Sequence, residues 1–87
     1  MQIGKYRLEG GGSCPEQYDV FDGENNVGYL RLRHGHFTAE LTVEGQAERE
    51  VYASSDMKGD GCFFDDERER FLTAAVQAID AARCPNA

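Results

Sequence analysis

Apolar and polar side chains alternate along the first half of the chain with the two-residue period of a half-buried strand. Over residues 3–9, Tyr6 and Leu8 take one side and Lys5 and Arg7 the other. Gly10-Gly11-Gly12-Ser13 interrupts the pattern, Cys14-Pro15 keeps the backbone extended, and residues 17–21 predict a second short strand. Asp22-Gly23-Glu24-Asn25-Asn26 carries turn chemistry, because Gly and Asn accept positive φ and Asp and Asn side chains close turns onto their own backbone. Residues 27–43 are the most informative stretch. A two-residue type I′ turn at His34-Gly35 pairs Arg33 with His36, Leu32 with Phe37, Arg31 with Thr38, Leu30 with Ala39 and Tyr29 with Glu40. That one register puts Leu30, Leu32, Phe37, Ala39, Leu41 and Val43 on one face. Tyr29, Arg31, Arg33, His36, Thr38 and Glu40 fall on the other, and a slip of one residue would scramble both.

Glu44-Gly45-Gln46 predicts another turn and residues 47–53 another strand, with Ala39 opposite Val51 and Leu41 opposite Arg49. An arginine aimed inward suits an edge strand, where a charge blocks pairing with a second sheet. Residues 54–64 read as a loop. After it the period changes to 3.6: Phe71, Leu72, Ala75, Val76, Ile79 and Ala82 share one face of a helix, and Arg70, Thr73, Gln77 and Asp80 the other. Asp65 or Asp66 is placed to cap its start, Asp66 and Glu69 have capping-box spacing, and Asp65, Asp66 and Glu67 suit the positive end of the dipole. Asp66 and Arg70 are spaced to pair, and Pro85 stops the helix near Arg83 or Cys84. The expected fold class is α+β: an antiparallel sheet of four to five strands with one C-terminal helix packed on one face, in a single domain over residues 1–87. The other face of the sheet is left open.

Length and charge narrow the function. A chain of 87 residues has room for one core. Sixteen acidic against nine basic residues give a net charge of −7, which repels phosphate backbones and anionic membrane surfaces. Direct nucleic-acid and membrane partners are therefore not expected. No apolar run approaches the roughly 20 residues of a membrane helix, and the N-terminal residues lack the apolar stretch of a secretory signal. The expected location is the cytoplasm, with Cys14, Cys62 and Cys84 as free thiols, since they are odd in number and include no CxxC pair.

Catalytic chemistry is hard to place on this sequence. His34 and His36 lack a convincing third metal ligand, and no nucleophile stands at a fixed distance from either, so no cofactor is expected and an enzyme is the least expected class. A calcium loop is one alternative. Asp56, Asp60 and Glu67 occupy positions 1, 5 and 12 of the EF-hand spacing with Gly61 at position 6, although Lys58 stands at position 3, where a cation needs an oxygen. The open sheet face is the stronger candidate. Tyr29, Arg31, Arg33, His36 and Glu40 form a basic-aromatic cluster on an acidic protein; guanidinium makes forked, charge-assisted bonds, and Tyr and Arg are common interface anchors.

Cys14-Pro15-Glu16-Gln17-Tyr18-Asp19-Val20-Phe21-Asp22, Gly28-Tyr29-Leu30-Arg31-Leu32-Arg33-His34-Gly35, and Gly59-Asp60-Gly61 with Glu67-Arg68-Glu69-Arg70-Phe71-Leu72 together resemble small uncharacterised proteins found in bacteria and in phage or prophage settings. The resemblance spans most of the chain and transfers no residue roles. It implies a short, acidic, stand-alone cytoplasmic protein of mobile-element type. Such proteins are often binders that block a host enzyme or defence complex. The expectation is a non-enzymatic protein-binding module, an antagonist of a host nucleic-acid machine such as a CRISPR effector. Its acidic exterior would steer it toward a partner with a basic surface. The alternative from another class is a binder of an anionic nucleotide that acts as a homo-oligomer, since one small chain offers little depth for a pocket.

Overall fold

A computed structural model describes residues 1–11 and 14–83. Among these residues six strands follow one another as β1 (Gln2–Ile3), β2 (Tyr6–Gly10), β3 (Glu16–Asp22), β4 (Asn25–Arg33), β5 (His36–Leu41) and β6 (Arg49–Ser54), followed by helix α1 (Asp65–Arg83). Every neighbouring pair is antiparallel and the strands lie side by side in sequence order. The fold is α+β, with one strand more than expected. The first predicted strand is two, because Gly4 adopts φ +58° and turns the chain back so that Ile3 pairs with Tyr6. No helix among the described residues is long and apolar enough to cross a membrane.

The β4–β5 hairpin has the register that its sequence predicts, from Arg33 opposite His36 through Tyr29 opposite Glu40. Both central turn residues have positive φ, +53° at His34 and +71° at Gly35, as a type I′ turn requires. Leu30, Leu32, Phe37, Ala39 and Leu41 are buried against the helix face formed by Phe71, Leu72, Ala75, Val76 and Ile79, with Ala82 packed at its margin. Val43, expected on that face, lies past the end of β5 and is 39% exposed. Leu41 pairs with Arg49 as expected, but a bulge between Ala39 and Glu40 sets Ala39 opposite Tyr52 rather than Val51. β6 is an edge strand, and Arg49 at its start is exposed rather than directed into the core. Gly28 leaves room for the helix side chain Ile79 to approach β4. A Cβ built there would stand 2.5 Å from Ile79 Cδ1 and 2.9 Å from the Glu40 carbonyl oxygen.

Residues 55–64 contain no strand or helix and are held by two buried carboxylates. Glu16, only 2% exposed, accepts hydrogen bonds from Arg68 Nε (2.8 Å), the Phe63 N–H (2.9 Å) and the Tyr18 hydroxyl. Its own N–H donates to the Gly61 carbonyl at 2.7 Å. Glu67, 4% exposed, accepts from the N–H groups of Lys58 (2.7 Å), Gly59 (2.9 Å) and Phe64 (2.9 Å). Helix capping therefore differs from expectation. Glu67 in the first turn reaches back to the Phe64 N–H, while the Phe64 carbonyl accepts from Glu67 and Arg68; Asp66 pairs with Lys58 at 3.2 Å, and Arg70 lies over the Phe71 ring.

Cys14 and Cys62 are joined in a disulfide that ties the start of β3 to this loop across 48 residues, which corrects the expectation of free thiols at both. Cys84 and Pro85, expected as a thiol and a helix stop, lie outside the described residues, as do Gly12 and Ser13.

Burial pushes the Glu16 carboxyl up, but the bonds from Arg68, Tyr18 and the Phe63 N–H outweigh it and hold it below its ordinary 4.5. Burial likewise raises Glu67, and the Lys58, Phe64 and Gly59 N–H groups bring it below 4.5. The Tyr18 hydroxyl is pushed up to about 12, first by burial and then by its bond to the Glu16 carboxylate.

Gly28→Ala is expected to lift the helix off β4 and cost about 1–3 kcal/mol in denaturant unfolding, with the fold retained. Glu16 and Glu67 bind protons more weakly folded than unfolded, so their contribution is full above pH 4.5 and lost as pH falls through their lowered values. Tyr18 acts at the other limb: its contribution is full below pH 10 and is lost toward pH 12. Unfolding followed from pH 2 to 7 should show the acid decline, and Glu16→Gln should flatten part of it while costing about 3 kcal/mol at neutral pH. Opening the disulfide with a phosphine reductant should lower stability by up to about 4 kcal/mol, and the non-reduced mass should show one bridge between Cys14 and Cys62.

Candidate functional site

Side chains that alternate away from the helix form the second face of the sheet. The structure brings the predicted residues Tyr29, Arg31, Arg33, His36 and Glu40 together there, joined by His34 and Thr38 around a solvent-open hollow of about 550 Å³. Opposite this surface, Leu30, Leu32 and Phe37 are fully buried, so the hairpin is anchored through one face and displays the other. The two arginines sit at alternate positions of β4, roughly 6.7 Å apart along the strand.

Cross-strand pairing organises the charge on this face into rows. One row crosses five strands: Glu9 opposite Asp19, Asp19 opposite Tyr29, Tyr29 opposite Glu40, and Glu40 opposite Glu50. The next row toward the hairpin tip is Gln17, Arg31, Thr38 and Ala53, and the one after it pairs Arg33 with His36. An acidic belt thus stands beside a basic tip. Glu9 is neutralised by Arg7 at 2.6 Å. Asp19, Glu40 and Glu50 form no ion pair among the described residues, and neither do Arg31 and Arg33. Arg7, Arg68 and Arg83, by contrast, each hold a carboxylate within 3 Å. The Tyr29 hydroxyl donates to Gln17 Oε1, which fixes the ring across β3.

The loop braces the basic tip. The Gly35 N–H donates to the Asp60 carbonyl at 2.6 Å, and His36 Nδ1 lies 2.9 Å from Ser55 Oγ. His34 is the one described non-glycine residue with positive φ, a conformation that side chains other than Asn, Asp and His seldom adopt.

The calcium spacing does not close into a cage. Both Glu67 oxygens are taken by backbone N–H groups; Asp56 and Asp60 are exposed, and the Asp60 main chain serves the hairpin turn. Among the described residues no group of three or more His, Cys, Asp or Glu side chains is arranged to hold a metal ion. Sequence reasoning also missed contributors to the face. Asp19, Glu50 and Gln17 belong to strands whose registers against the hairpin are set by contacts outside it.

Comparison with known proteins finds no matching family model, no matching curated protein and no matching solved structure.

Proposed function

We propose that this chain is a non-enzymatic protein-binding module that acts by occupying a partner's surface with its open sheet face. The observation that carries this reading is the pair of guanidiniums at half-exposed Arg31 and exposed Arg33, beside Tyr29 and without an ion pair among the described residues, on the side of the sheet the helix leaves uncovered. A long charged side chain gains little from being left unpaired beside carboxylates, and it gains a forked bond when a partner supplies the acceptor. The buried titratable groups Glu16, Tyr18 and Glu67 are each engaged in bonds that hold the loop, which favours binding over catalysis. In the antagonist form of the reading, the module masks a host defence or nucleic-acid enzyme stoichiometrically. Capture of an anionic nucleotide between copies is the second reading, favoured by the same two guanidiniums. The hollow is open to solvent, and a pocket for a small ligand has to enclose most of its surface.

Affinity capture from a bacterial lysate with three baits tests the module. The unmodified chain and Gln77→Glu, which alters the exposed side of α1, are expected to retain the same partner. Arg31→Glu with Arg33→Glu should lose it at an unchanged melting temperature. Retention of that partner by the doubly reversed chain would remove the open face from the proposal.

A further inference from the structure

The charge rows narrow the partner's chemistry. We propose that the open face takes an extended polypeptide segment of split charge. Its carboxylates fork onto Arg31 and Arg33, and its Lys or Arg side chains lie over Asp19 and Glu40, the acids that flank β4. This rests on the reading of the face as a contact surface.

Opposite charges stand one row apart here without pairing among the described residues, which leaves each row open to neutralisation from outside. The chain's net charge of −7 steers approach from a distance, but screening reduces that field beyond about 8–10 Å. At contact, the local rows decide. Strand rows about 6.7 Å apart match side chains at alternate positions of an extended segment running along β4, which carries a carboxylate over each arginine and then a cation over the belt. A nucleic acid fits poorly, because a phosphate chain continued past Arg31 runs over Asp19 and Glu40. A second copy of this chain could match rows by a two-fold turn, but it would bring a second net charge of −7 onto the face.

The test is an NMR titration of the isotope-labelled chain at low salt with four probes. The first is a synthetic peptide with Glu at alternate positions in one half and Lys at alternate positions in the other. The others are the all-Glu peptide, the all-Lys peptide and a short single-stranded DNA. The split peptide is expected to shift the Arg31 and Arg33 Nε–H signals and the β4 and β5 amides. It should bind about tenfold more tightly than either single-charge peptide and lose that margin in Arg31→Glu with Arg33→Glu. Equal or tighter binding of the all-Lys or all-Glu peptide at the same signals would overturn the split-charge partner and leave the contact surface standing. So would tighter binding of the DNA there. Shifts confined to the helix side, or none at millimolar split peptide, would overturn both. Sedimentation of the free chain as a dimer with those signals protected would assign the face to a second copy instead.

Discussion

The Glu16 carboxylate is the constraint on which the remainder of the structure depends. It lies at the first residue of β3 and joins Arg68 of the helix, Tyr18 of its own strand and the Phe63 N–H of the loop. A carboxylate with so little solvent contact is tolerable only with its acceptor positions filled, and no buried side-chain polar atom among the described residues lacks a partner. Removing Arg68 would leave the carboxylate's charge uncompensated in an apolar setting, which is why the group acts as a lock. Glu67 repeats the device in the first turn of the helix, where its two oxygens accept from the backbone N–H groups of Lys58, Gly59 and Phe64.

That lock reaches the open face through the loop. The disulfide and the two carboxylates hold residues 55–64 against β3 and α1, and the loop in turn holds the Gly35 N–H and His36 at the hairpin tip. The core does the complementary work. Phe37 meets Phe63 and Phe71 edge to face, and Gly28 allows Ile79 to approach the sheet, so one side of β4 and β5 is committed to packing. The alternation of a strand then leaves Tyr29, Arg31 and Arg33 no direction but outward.

The hairpin was legible because its information is local. A turn with a residue that tolerates positive φ, followed by glycine, and apolar residues at every second position of both arms admit one register. Tyr29, Arg31, Arg33, His36 and Glu40 come together for the same reason. The helix face was legible from its period. What the sequence did not reveal lies between distant segments. Glu16 and Arg68 are 52 residues apart, and nothing in either neighbourhood marks them as a pair. Cys14 and Cys62 read as thiols because spacing alone cannot pair two of three cysteines. The bulge at Ala39/Glu40 shifted the partner of Ala39, since a one-residue irregularity leaves the alternation on both sides of it intact. The acidic belt needed three neighbouring registers at once, so its row could not be read from the hairpin alone.

Arg31 and Arg33 stand on the open face with no ion pair among the described residues, whereas Arg7, Arg68 and Arg83 each hold a carboxylate. Modification of the native chain with an arginine-specific dicarbonyl, mapped residue by residue by mass spectrometry, measures this directly. The account predicts rapid labelling of Arg31 and Arg33 and slow labelling of Arg68 and Arg83, whose guanidiniums hold carboxylates at 2.8–2.9 Å. Protection of Arg31 and Arg33 to the level of Arg68 in the isolated monomer would contradict it.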